Sequence, residues 1–210
     1  MKHIPLLLVL GFALSLCNLT KRLKDTGKSE GSNNPPASSG ANNAAVERPE
    51  PTAAQKAALA GGQSVNWDKQ GISWTLPPGW TKTADELKTV SYQAPRSGDT
   101  VSLNINISTM DESFPTDISL NAFYDQARTR AKNGEVDQLK WLEIDGLKGV
   151  EFRESNPEKP DGFRRLQWLA YRKYAGQVQM VNLMLATTGK EFPRYQDAMY
   201  GILYSTKIVH

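Results

Sequence analysis

The stretch Gly71-Ile-Ser-Trp-Thr-Leu-Pro-Pro-Gly-Trp80 alternates apolar Ile72, Trp74 and Leu76 with polar Ser73 and Thr75. This period of two predicts a strand with one buried face, stopped by Pro77-Pro78-Gly79. Val65-Asn66-Trp67 opens the same region, with a turn over Asp68 to Gly71. Further along, Val90 to Ala94 reads as a short strand, and Arg96 to Asp99 as its turn. Thr100 to Thr109 alternates cleanly: Val101, Leu103, Ile105 and Ile107 face a core, and Ser102, Asn104, Asn106 and Ser108 form a wet face. Ser119 is placed to cap a helix running to Asn133, with Leu120, Phe123, Ala127 and Ala131 on one stripe and Gly134 as its stop. Four antiparallel strands are predicted next, over Gln138–Ile144, Leu147–Glu154, Phe163–Tyr174 and Gln177–Thr187, with Asp145-Gly146 and Ala175-Gly176 as hairpin turns. The last two carry apolar residues on both faces, so this part of the sheet should be covered on both sides. A second helix over Glu191–Tyr204 supplies cover, with Pro193 in its first turn, and Thr206 to Val209 closes the sheet.

The first third of the chain has a different pattern. Ile4 to Cys17 is an apolar run, short for a membrane span and suited to an export signal. It ends Leu14-Ser15-Leu16-Cys17 and resembles a bacterial lipobox, which implies lipidation at Cys17; where that pattern has a small residue before the cysteine, this chain has Leu16. An uncleaved anchor flanked by Lys21, Arg22 and Lys24 competes for the same residues. Residues 18–62 are dominated by Ser, Asn, Pro, Gly and Ala, too poor in large apolar side chains to offset the entropy of ordering, and are expected to be a disordered tether. Within them, the Ala-rich Thr52 to Ala60 is expected to form a fraying helical turn or two. The organisation expected is therefore a signal over residues 1–17, a tether over 18–62 and one globular domain over 63–210.

Composition narrows the chemistry. A net charge of +3 is spread over the chain without a basic cluster interleaved with aromatics, so no nucleic-acid partner is implied. Cys17 is the single cysteine, and the two histidines are His3 and His210, at the chain's extremes. An internal disulfide is excluded, and the commonest general base and metal ligand are missing from the core. Asp111, Glu112 and Asp117 share one loop but do not have the spacing of a calcium loop, and they read as solvated acids. Glu143 with Asp145, and Glu151 with Asp161, are the carboxylate pairs available for acid–base work, and exposed strand or turn charges are the simpler account of them. Trp74, Trp80, Trp141 and Trp168 would line an apolar pocket or, more simply, a core. Asn106-Ile-Ser108 fits the glycosylation pattern but lies in mid-strand. No catalytic, cofactor or metal site is expected.

The order of these features, with Gly71 to Trp80, the Ile144-Asp-Gly146 hairpin and a final helix ending Ile202-Leu-Tyr-Ser205, resembles the PsbP and DcrB-like superfamily, from roughly Trp67 to His210. The resemblance implies an α+β fold, a mainly antiparallel twisted sheet flanked by helices as in the PsbP-like (Mog-type) α/β/α sandwich. It also implies a non-enzymatic binding or assembly module, often exported and lipid-anchored in bacteria. The expectation is a membrane-tethered lipoprotein facing the periplasm or cell surface that docks to another envelope protein. The alternative is a carrier or sensor of a small apolar ligand held between sheet and helix.

Overall fold

A computed structural model describes residues 45–95 and 100–210. The expected signal, Cys17 and the first part of the tether lie outside them, as does the turn over Arg96 to Asp99.

The strands, in chain order, are β1 (Val46–Glu47), β2 (Gln63–Trp67), β3 (Ile72–Leu76), β4 (Thr81–Asp85), β5 (Thr89–Gln93), β6 (Ser102–Met110), β7 (Val136–Ile144), β8 (Leu147–Glu154), β9 (Phe163–Tyr174), β10 (Gln177–Thr188) and β11 (Lys207–Ile208). The helices are α1 (Ala53–Leu59), α2 (Thr116–Lys132) and α3 (Phe192–Ser205). Eight strands form the main sheet in the order β1-β7-β8-β9-β10-β6-β5-β4, antiparallel throughout except for β1 against β7. The expected meander is β7 to β10. Its tight hairpins turn at Asp145-Gly146 and Ala175-Gly176, where all four residues have positive φ, the backbone of a type I′ turn.

The Gly71–Trp80 strand, β3, does not join the main sheet. It is the centre of a second sheet of three strands, β11-β3-β2, so the C-terminal strand closes this smaller sheet. The small sheet and α3 cover one face of the main sheet. Between them lies the large core, where Trp74 meets the ring of Tyr92 edge-on at 5.8 Å and Trp168 crosses over Gly149 to donate to the Leu142 carbonyl at 3.1 Å. Helix α2 covers β7, β8 and β9 on the other face through smaller apolar clusters that include Leu120, Ala127, Trp141, Val150 and Leu169. The expected α/β/α sandwich with a doubly covered meander is the observed fold.

Two expectations need correction, and one strand was not anticipated. The folded part does not begin at residue 63: β1 pairs with β7, and α1 is capped by a reciprocal Thr52–Gln55 capping box. Helix α1 packs on α3 where Gly201 brings the backbones close, so residues 46–62 belong to the domain rather than to a tether. The compensation for ordering this polar segment comes from capping and helix–helix contact, which composition does not register. Ser119 is not the cap of α2. The helix starts at Thr116 behind Pro115, and Ser119, a turn inside it, bonds the Tyr171 hydroxyl at 2.8 Å. Strand β4 carries mostly exposed polar residues, so no alternation announced it.

Candidate functional site

Helix α2 covers part of one face of the main sheet, and among the described residues no other element covers the remainder. Strand pairing places Thr89 and Ser91 of β5, Asn104 and Asn106 of β6, Asn182 of β10 and Gln167 of β9 side by side there, all half-buried. They are hydrogen-bonded to one another: Thr89 Oγ1 donates to Asn106 Oδ1 at 3.0 Å, Ser91 Oγ to Asn104 Oδ1 at 2.7 Å, and Gln167 Nε2 to Asn182 Oδ1 at 2.9 Å. Met184 lies between Asn104 and Gln167, and Met180 packs toward the cluster under α2. None of these side chains is ionised at any ordinary pH, and each is held in place by its neighbour. The result is an ordered, neutral, amide- and hydroxyl-rich platform whose opposite side is the large core. The wet face expected of β6 is one strand of this wider surface.

A concave site of about 410 Å³ opens where the start of α2 meets the sheet, lined by Thr116, Asp117, Leu120, Asn121, Trp141, Lys148 and Tyr171. Tyr124 stacks on Trp141 at 4.6 Å, and the Lys148 ammonium stands 4.2 Å from the centre of the same indole ring, a cation–π contact. Burial raises the pKa of Tyr171, with its bond to Ser119 acting the other way. Leu120 and Trp141 make the walls apolar, while Asp117, Asn121 and Lys148 make the mouth polar. The space between the main sheet and α3, by contrast, is filled by Trp74, Trp168, Phe192 and Met199, all at most 1% exposed. These side chains occupy the place where a ligand between sheet and final helix was expected.

The sequence-derived carboxylates are dispersed. Asp111 and Glu112 are exposed before α2, while Asp117 lies in its first turn, and among the described residues no group of three or more His, Cys, Asp or Glu converges. Glu143 takes two hydrogen bonds of 2.7 Å from Arg48, which hold its pKa below the usual carboxylate range. Asp145 is engaged elsewhere, by the Ile208 N–H at 2.8 Å and Lys207 at 3.1 Å; burial opposes its ionisation, and these partners lower its pKa nonetheless. Glu151 and Asp161 do not meet either: Glu151 is wholly buried, whereas Asp161 is at the surface, 2.7 Å from Lys190. Of the four tryptophans, Trp74, Trp80 and Trp168 belong to the large core, and Trp141 alone lines the cavity beside α2. Asn106 is occupied by its bond to Thr89.

Two buried polar groups were not anticipated. Arg172 is 3% exposed and donates to the Gln70 carbonyl at 2.7 Å, the Val209 carbonyl at 2.9 Å and Gln179 Oε1 at 2.8 Å, with its guanidinium 4.2 Å from the Tyr174 ring centre. Burial pushes its pKa down to about 10. It pins the C-terminal strand and the turn before β3 to β9. The second group surrounds Glu151, with Lys140, Gln138 and Tyr200 beside it. Their spacing in sequence, from residue 138 to residue 200, offered no local pattern to read.

No protein-family profile matches the chain, and no curated protein matches it by sequence. Solved structures do. LpqN of Mycobacterium tuberculosis, described as involved in cell envelope biogenesis, aligns with a TM-score of 0.52 at 14% identity, covering 71% of this chain and 91% of LpqN. The cyanobacterial PsbP of Synechocystis aligns at 0.45, with 14% identity and coverage of 71% and 94%. The Saccharomyces cerevisiae Ran-binding protein Mog1p aligns at 0.42, with 13% identity and coverage of 71% and 96%. The layers described above and the LpqN alignment together show that this chain has an α/β/α sandwich fold shared with LpqN.

Proposed function

We propose that the chain is a non-enzymatic docking module of the bacterial cell envelope, tethered to a membrane through Cys17, that holds another envelope protein against the open face of β9, β10, β6 and β5. The observation that carries this reading is the platform of mutually hydrogen-bonded Thr89–Asn106, Ser91–Asn104 and Gln167–Asn182 pairs. Side chains already fixed by their neighbours lose little freedom on binding, and the paired amides and hydroxyls carry no charge to desolvate. Protein interfaces outside obligate oligomers are about as polar as the rest of the surface, so such a face suits a partner that comes and goes. The envelope setting is supported by the shared fold with LpqN, whose description concerns envelope biogenesis. Among the described residues no helix is long and apolar enough to cross a membrane, so attachment would fall to the N-terminal segment.

The test is in-cell crosslinking of the tagged full-length protein, with mass spectrometry of the captured partner and of the mature N-terminus. A reproducible envelope partner together with a lipidated Cys17 is the expected result. A purified chain that turns over a substrate unaided would contradict the reading. Cys17→Ala is expected to move the protein from the membrane to the soluble fraction, whereas unchanged fractionation would favour an uncleaved anchor.

The cavity beside α2 favours a second reading, a small-ligand carrier, since about 410 Å³ is within the range of ligand sites. Its polar mouth suits an amphipathic rather than a purely apolar ligand. A thermal shift with such ligands, lost when Trp141 is replaced, would move the assignment to it.

A further inference from the structure

Strand β1 consists of Val46 and Glu47, lying parallel to the outer strand β7, and Pro49 follows closely, where no N–H is available to extend the pairing. So short a parallel pair has little backbone stability of its own, and side chains decide whether it stays. Val46 packs with Trp141 under α2, Arg48 makes its paired bonds to Glu143 in the open, and Lys140 Nζ donates to Glu47 at 2.9 Å. The same ammonium stands 3.5 Å from Oε2 of the wholly buried Glu151, an oxygen to which no hydrogen bond is made. One cation thus serves two carboxylates, one on the strap and one beneath it.

The charged and titratable groups around Glu151 come from every neighbouring element. They are Lys140 on β7, Glu47 on β1, Arg153 on its own strand, and Tyr200 and Tyr204 on α3. Arg153 is 2.7 Å from Asp137, which leaves Lys140 as the cation in contact with Glu151. Burial raises the pKa of Glu151 to about 7; Lys140 lowers it, and Glu47 adds to the rise. Coupling is reciprocal: if a docked Glu47 makes Glu151 harder to ionise, an ionised Glu151 makes Glu47 harder to keep docked.

We propose that the outer edge of β7 is a strand-docking edge closed in cis by residues 46–48, and that Lys140, shared between Glu47 and Glu151, is its latch. With Glu151 neutral, the ammonium belongs to Glu47 and the strap is shut. With Glu151 charged, a second negative charge lies beside Glu47 and the strap loosens. An open β7 offers a row of unpaired backbone groups to an extended peptide. The strap itself states the chemistry accepted: an apolar residue against Trp141, a carboxylate for Lys140, then a guanidinium for Glu143. This edge is separate from the open sheet face, and the inference stands without the docking proposed there.

Hydrogen exchange of the full chain, read by mass spectrometry over residues 139–144 and corrected for intrinsic rates, tests the latch. Between about pH 6 and about pH 8 the wild type is expected to lose protection there by about threefold or more relative to β9 and β10, while Glu151→Gln stays protected at both. Glu47→Gln is expected to be open at both, and it keeps the test decisive if Glu151→Gln fails to fold. No pH response in the wild type, or the wild-type response in either variant, overturns the latch. A fluorescent peptide with the sequence of residues 45–50 tests the edge. Its anisotropy is expected to rise with a Glu47→Gln/Arg48→Ala chain and not with the wild type at about pH 6. Failure to bind the double variant overturns the docking edge.

Discussion

Glu151 is a carboxyl group whose burial has a measurable thermodynamic consequence. Its pKa rises from an ordinary 4.5 to about 7 in the fold, chiefly because burial disfavours the charge. Between these values the native state holds a proton that the unfolded chain releases, so stability falls as pH rises through the window and the loss is complete above about 7. The difference corresponds to at most about 3 kcal/mol. Glu151→Gln, neutral at every pH, is expected to remove most of that fall. Urea denaturation at about pH 5 and about pH 8 checks this, and a wild-type stability that is flat across the window would contradict it. Gly149 makes a prediction of packing rather than charge. A Cβ there would collide with the Trp168 indole and the Leu169 carbonyl, neither of which has space to move in the core. Gly149→Ala is expected to cost about 3 kcal/mol or more, read as a lowered denaturation midpoint, and a midpoint close to wild type would show that Trp168 does not depend on this gap.

The elements divide into those with local signatures and those without. Asp145-Gly146 and Ala175-Gly176 could be read directly because a two-residue hairpin demands positive φ, and the meander between them carries the expected burial pattern. Helix α2 was readable by its Leu120–Ala127 stripe but not at its start, where Pro115 supplies no side-chain cap. The assignment of β3 to a separate sheet was not readable, because alternation reports which side chains are buried and not which strand lies alongside. Helix α1 was underestimated for a related reason: seven Ala-rich residues are marginal alone, and their stability comes from the Thr52–Gln55 box and the approach to Gly201. Thr52→Ala is therefore expected to destabilise the whole domain by about 1 kcal/mol. A change confined to local fraying, with the global unfolding midpoint unmoved, would return α1 to the tether.

At the scale of the molecule, the sandwich explains why so little of the site could be read from the chain. A sheet covered on one face by α3 and the small sheet, and only partly by α2 on the other, leaves one polar platform assembled from four strands. Ser102, Asn104 and Asn106 of β6 announced a wet face. That Thr89, Asn182 and Gln167 complete it depends on strand order, which is a property of the fold. The candidate site is thus made of residues that look like ordinary solvent-facing side chains one strand at a time. The measurement that tests the account most directly compares crosslinked capture of the proposed envelope partner by wild type and by Asn106→Arg and Asn182→Arg, with Lys132→Glu on α2 as a charge control. Both platform variants are expected to stay folded, at a cost of about 1 kcal/mol for the hydrogen bond each removes, and to lose capture at least tenfold, with the control unaffected. Undiminished capture by well-folded platform variants would contradict the claim that this chain works through the open face of its sheet.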